Sequence, residues 1–285
     1  MEAACCPTGT DGASGALGFH HGFARPESVG RDGRSTLVTH LVETFHRDGY
    51  VHLRGAVSAA LVRDARARIA EALERDESHG QMLRFVQSSF FPSLTSDPTL
   101  LGLLQTVDAP IATLLGLPRA PTTSSVQIAL RFPQIASTGE ARHGFHLDGF
   151  PSEGNDVASG AVYRATLLVG VYLTATPGPD RGNFVVWPGS HRAFERWLRE
   201  IDALAFLRTH GSEALLQRIR AFDPGPKRQL EVEPGDVVLA HHLLGHGAAD
   251  NFSLHTREAL YFRLLHPDDD PRDPTPLLDA RRFFV

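Results

Sequence analysis

Apolar residues recur at helical spacing through the first part of the chain and at strand spacing through most of the rest. Leu37, Val38, Leu41, Val42 and Phe45 mark one face of a helix that Ser35 can cap and Gly49 stops. A short strand, Tyr50 to Leu53, follows. Ser58 then opens a second helix, with Leu61, Val62, Ala65, Ile69 and Leu73 on one side and Arg63, Arg66 and Arg68 facing outward as a solvated surface. Asp97-Pro98 starts a third helix, because aspartate caps free amides and proline suits the first turn. Beyond Pro121 the texture becomes that of strands: Thr122 to Phe132, Thr166 to Leu173, Phe184 to Trp187, Asp236 to Leu244 and Glu258 to Leu265, separated by Gly- and Pro-containing turns. Arg192 to about Phe222 reads as inserted helix. Helices first and irregularly spaced antiparallel strands afterwards predict an α+β fold: a double-stranded β-helix, or jelly roll, with N-terminal helices packed on one sheet and a helical insertion.

Composition narrows the picture. The 285 residues, 42% of them hydrophobic, suffice for a substantial core and fit one domain over 35–285, helical over 35–120 and jelly roll over 121–266 with its insert at 192–222. Residues 1–34, rich in Gly, Ala and small polar side chains and without the apolar core of a secretory signal, are expected to be disordered. The net charge of −5 comes without a basic run, so no nucleic-acid partner is expected, and no apolar stretch is long enough to span a bilayer. Both cysteines, Cys5 and Cys6, are adjacent and cannot staple a fold, which fits a reducing, cytoplasmic location. Oligomeric state is not legible.

The chemistry lies in a few distant positions. Three His-x-Asp triplets occur. His46-Arg47-Asp48 ends a helical pattern, where residues two apart point to different sides, and reads as surface. His266-Pro267-Asp268 reads as loop. His146-Leu147-Asp148 follows an extended stretch, where such residues share a face, and it alone has a downstream partner: His246, with Arg257 eleven residues further on. Two imidazoles and one carboxylate can bind one face of an iron(II) ion and leave the rest open. His242 rivals His246, since strict alternation from Gly235-Asp236 puts both on one face, whereas His241 and His255 read as structural. Arg257, entering an apolar strand, needs an anionic partner, either a ligand carboxylate or an internal salt bridge, and Arg263 shares its parity. Gln127 and Arg131 share a face and can look into the barrel. Phe150, Tyr163 and Trp187 are candidate substrate contacts, along with Arg131, and Tyr172 and Asn183 are plausible pocket walls. The segment from Gly149 to Arg164, with Glu153 and Asp156, is expected to form a lid. His191, in Trp187-Pro-Gly-Ser-His191, is expected to face solvent or cap backbone at a tight turn.

In order and spacing, these motifs resemble the phytanoyl-CoA dioxygenase-like branch of the iron(II)/2-oxoglutarate oxygenases. The resemblance runs from about Phe45 to Leu265, through Phe-His-Arg-Asp-Gly-Tyr-Val51, the 146/148 pair, Gly182, Trp187-Pro-Gly-Ser-His191, Gly235-Asp236, His246-Gly247, Asn251 and Arg257. It implies a cupin-like barrel with His146, Asp148 and His246 as iron ligands and Arg257 on the distal carboxylate of 2-oxoglutarate. Where that family commonly has a serine two residues after the second histidine, this chain has Ala248, leaving Gln127, Thr166 or Ser253 to assist the cosubstrate. The implied reaction couples dioxygen and 2-oxoglutarate, giving succinate and carbon dioxide, to hydroxylation of an unactivated C–H of a small molecule such as a secondary metabolite; desaturation and cyclisation start alike. Asp148 argues against halogenation, for which that family places a small residue there. A metal hydrolase or isomerase on the same barrel, or a non-catalytic anion-binding cupin, are the alternatives.

Overall fold

The structure is a computed structural model describing residues 31–75, 87–88, 91–134, 144–151 and 157–285. Cys5 and Cys6, nearly all of the expected disordered segment, and the lid positions Glu153 and Asp156 lie outside these residues. Helix α1 (Arg31–Asp48) begins four residues before Ser35, so residues 31–34 are helical where disorder was expected. It ends at Gly49, whose φ of 81° reverses the chain into β1 (Tyr50–Leu53). Helix α2 (Ala59–Glu74) is capped by Ser58 as its sequence predicts. After β2 (Gln87–Ser88), Asp97 caps α3 (Pro98–Leu101) through two backbone amides, and a 3₁₀ stretch leads into α4 (Asp108–Leu114).

The strands are β3 (Gln127–Arg131), β4 (Leu167–Tyr172), β5 (Phe184–Val186), β6 (Arg228–Gln229), β7 (Val237–His241), β8 (His246–Ala248) and β9 (Arg257–Leu264), all paired antiparallel. Six form one sheet in the order β1-β7-β4-β9-β3-β2, and three form a smaller one, β6-β5-β8. Between β5 and β6 lie α5 (Ser190–Glu200) and α6 (Ala203–Ala221), the latter kinked at Gly211, so the insert is two helices rather than one.

Alternation along β9 sorts the interior. Leu260, Phe262 and Leu264 join Ile128, Val169 and Leu239 in the core beneath the N-terminal helices, which contribute Phe45, Val62, Ile69, Leu100 and Ile111. Each such side chain, fully buried, contributes about 1.5–3 kcal/mol. The opposite face of β9 carries Ala259 and Tyr261, which share a second cluster with Leu168 and Tyr172 of the large sheet and with Phe184 and Val186 of the small one. That space between the sheets also receives Arg257 and Arg263 by parity.

One expected element is corrected. Strand β7 stops at His241, and after a turn the chain re-enters as β8 in the other sheet, so Asp236 to Leu244 is not one strand. His242 and His246 therefore share no strand face.

Candidate metal centre

His146 and His246 are bridged backbone to backbone. The His146 amide donates to the His246 carbonyl at 2.9 Å, and the reverse bond is 3.2 Å. Gly247 permits this approach, since a Cβ there would lie 2.6 Å from the Gly144 carbonyl oxygen. Gly149, with φ 93°, then turns the chain away, where any side chain would meet the Arg164 backbone. The result brings three side chains together: one Asp148 oxygen, Oδ1, sits 3.6 Å from Nε2 of each imidazole, and the rings lie 4.4 Å apart. His246 is buried whereas His146 and Asp148 keep an open side.

Hydrogen bonds fix the donor set. His246 Nδ1–H donates to the Leu244 carbonyl at 2.9 Å, which leaves the Nε2 lone pair aimed at Asp148. Arg263 Nε donates to the other Asp148 oxygen, Oδ2, at 2.9 Å, and its Nη1 to Gln127 Oε1 at 2.9 Å. Burial alone would raise the Asp148 pKa, but the Arg263 guanidinium, with the two facing histidines behind it, outweighs burial and holds the carboxyl well below the usual range. Although its side chain is 52% exposed, His146 has its pKa lowered by the desolvation of its ring within the cluster and then by the neighbouring His246, which favours the neutral form. Facial ligands around a first-row dication, at bond lengths of roughly 2.1 Å, lie about 3.0 Å apart. The two separations to Asp148 are 3.6 Å and all three ligand atoms lie within 4.8 Å of one another, so modest side-chain rotations bring them to that spacing and these residues fit such an ion. Oδ1 is the free oxygen.

Along β9 from this cluster, Arg257 is buried and donates to two neutral carbonyls, Gly182 at 2.8 Å and Ala129 at 2.9 Å. Its cross-strand neighbour is Arg131, not a carboxylate. Burial, followed by the proximity of Arg257, lowers the Arg131 pKa to about 10. The internal salt bridge open to Arg257 in sequence is absent among the described residues, and Arg263 pairs with Asp148 instead.

Other expected positions fall elsewhere. The Thr166 hydroxyl donates to Asp269 at 2.5 Å in a buried network with Arg164, and the Ser253 hydroxyl bonds Asn251 Oδ1 at 2.6 Å within its turn. Phe150 packs in the core of the helical insert. Trp187 lies with Val185 and Ala249, on the β5 face opposite Phe184, with Phe145 5.5 Å from its ring. Tyr163 is 53% exposed and lines a mostly apolar cavity of about 600 Å³ with Val157, Val162, Leu207 and Arg272. Asn183 holds three backbone carbonyls and so shapes the turn before β5. Of the two roles expected for His191 the structure shows the backbone one: the ring is buried, with Nε2 3.1 Å from the His46 carbonyl, because the turn at Gly189 packs onto the end of α1.

The profile of the phytanoyl-CoA dioxygenase (PhyH) family matches residues 45–259, and the chain belongs to that family. Similar solved structures include the epimerase SnoN, in complex with Fe³⁺, alpha-ketoglutarate and nogalamycin RO (19% identity, 80% of this chain and 82% of that one, TM-score 0.52). Another is the alpha-ketoglutarate-dependent carbocyclase SnoK from nogalamycin biosynthesis (20% identity, 82% and 92% covered, TM-score 0.51). AviO1 from Streptomyces viridochromogenes Tue57 is a third (18% identity, 82% and 97% covered, TM-score 0.50). No curated protein matches. Among the described residues no helix is long and apolar enough to cross a membrane.

Proposed function

We propose that the chain is an iron(II)- and 2-oxoglutarate-dependent oxygenase that hydroxylates a C–H group of a small molecule, on a double-stranded β-helix formed by the two sheets. The observation that carries this reading is the His146, Asp148 and His246 cluster, whose ligand atoms lie within 4.8 Å of one another and leave one side open. Iron(II) held there with a chelated 2-oxo acid supplies dioxygen activation, ending in succinate, carbon dioxide and an oxidised substrate. The protein's part is positional. Leu244 fixes the His246 tautomer, Arg263 occupies the outer Asp148 oxygen so that the carboxylate offers one atom to the metal, and Arg257 provides buried positive charge for the distal carboxylate. Membership of the PhyH family and the iron and alpha-ketoglutarate in SnoN support this assignment.

The substrate class is a small molecule, in keeping with nogalamycin RO in SnoN and with the cavity beside Tyr163. That cavity's segment is tied to the ligand loop by the Tyr163 amide donating to the Gly149 carbonyl at 2.8 Å. Product analysis assigns the reaction type: hydroxylation adds one oxygen, whereas desaturation removes two hydrogens. The test is oxygen-dependent conversion of 2-oxoglutarate to succinate by the iron-loaded protein, lost in His146→Ala and His246→Ala. A non-oxidative hydrolase or isomerase, working on this scaffold without an oxo acid, forms no succinate, and a protein that binds iron equally well without either imidazole is not the enzyme proposed.

A further inference from the structure

Three polar groups between the sheets lack the partner their chemistry demands. Arg257 is buried yet meets only neutral carbonyls, and its second amino nitrogen bonds nothing among the described residues. Arg131 makes no side-chain hydrogen bond or ion pair among them, with Asp250 acting on it only through space. The two side chains leave the sheet side by side, since a Cβ on Gly182 would come within 2.9 Å of Arg257 Cβ and 3.1 Å of Arg131 Cβ, and their charges are close enough for Arg257 to act on Arg131. The third is Tyr172, fully buried, whose hydroxyl makes no hydrogen bond of normal geometry and has the Tyr261 side chain as its polar neighbour. It stands on β4 opposite Ala259, two residues along β9 from Arg257 and on the same inner face. Its oxygen lies over Gly170, where a Cβ would be 3.3 Å from it, beside the Tyr261 ring. Burial, and then Tyr261, pushes this phenol's pKa well up, so it remains a neutral donor.

Like charges packed together with no acid in contact are unfavourable, and a buried hydroxyl without a hydrogen bond is costly. One carboxylate resolves both, because it accepts several hydrogen bonds and neutralises charge. We propose that Arg131 and Tyr172 complete, with Arg257, a three-donor pocket for the distal carboxylate of the oxo acid, taking the place of a hydroxyl at Ala248 and selecting a dicarboxylate cosubstrate. This assignment rests on the oxygenase reading above. Ala248 shares a face of β8 with His246 and carries only a methyl group, so the donors come from the large sheet instead.

Calorimetry with nickel(II)-loaded protein tests this without turnover, titrating 2-oxoglutarate against 2-oxobutanoate, which has the same chelating end but no distal carboxylate. Tyr172→Phe and Arg131→Gln should each weaken 2-oxoglutarate binding about tenfold or more, leave 2-oxobutanoate binding unchanged, and leave nickel stoichiometry intact. Arg131→Lys, which keeps the charge, should recover part of the loss. Wild-type affinity for 2-oxoglutarate in both variants overturns the pocket, as does equal weakening of both acids, the mark of a merely structural role. A wild-type protein that binds nickel but neither acid overturns the oxygenase reading itself.

Discussion

Acid should destabilise this protein through histidines that take no part in the metal cluster. His191, His241 and His242 are buried together where the end of β7 meets α1, the start of α5 and the C-terminal segment, with His241 and His242 stacked at 4.3 Å and Phe284 4.8 Å from His241. Burial pushes His191 and His242 down to about 4 and His241 well below its ordinary value. A histidine whose folded pKa is depressed is neutral in the native state while the unfolded chain takes up a proton below about pH 6.5, so stability falls with pH through that window. Between pH 7 and pH 5 the cost is about 2 kcal/mol per imidazole, hence about 4 kcal/mol for His191 and His242, with His241 adding in the same direction. That is a large part of the 5–15 kcal/mol typical of a domain. Asp148 does not enter this window, because its depressed pKa confers stability that is lost only below the ordinary carboxylate range, whereas His146, also lowered, adds in the same direction, so the His242 variant is what isolates the buried cluster. Urea unfolding of metal-free protein at both pH values, followed by the fluorescence of Trp187 and Trp197, reads the difference. His242→Phe can keep the stacking on Phe284 and should remove about 2 kcal/mol of the pH dependence. A wild-type loss under 1 kcal/mol, or a variant that keeps the full dependence, refutes the reasoning.

Two further outcomes follow from the ligand loop. Arg263→Gln frees the outer Asp148 oxygen and should lower iron(II) or nickel(II) affinity about 10- to 100-fold in competition with a chromogenic chelator; unchanged affinity means that the 2.9 Å contact does not orient the ligand. Gly247→Ala forces a methyl against the Gly144 carbonyl at 2.6 Å and should cost about 1–3 kcal/mol in urea unfolding while weakening metal binding, whereas a variant as stable as wild type shows that the bridge yields freely.

Most of the architecture was legible because period and punctuation agreed: Gly49, Ser58 and Asp97-Pro98 act where their chemistry says they should. The three-residue cluster was legible too, through spacing and family resemblance, but the parity argument for His246 had the wrong basis. Parity works within one strand, and the chain changes sheets between His241 and His246. Thr166 and Ser253 were reasonable hydroxyls in sequence, yet each has a nearer acceptor that only the fold brings up, Asp269 for one and Asn251 for the other. The opposite holds for Tyr172. In sequence an aromatic residue in an apolar strand is ordinary core, and only the three-dimensional register exposes a buried hydroxyl that makes no hydrogen bond of normal geometry. The histidine cluster was hidden likewise, since its closure depends on the C-terminal segment, where His241 Nε2 meets the Ala280 carbonyl at 2.7 Å.

The most direct test of the central claim is anaerobic titration of the metal-free protein with iron(II) in the presence of 2-oxoglutarate, followed by visible absorption. The account predicts one iron per chain and a weak charge-transfer band from the chelated oxo acid, both lost in His246→Ala. Stoichiometric iron binding that survives that substitution, or iron and 2-oxoglutarate bound together without the band, would contradict it.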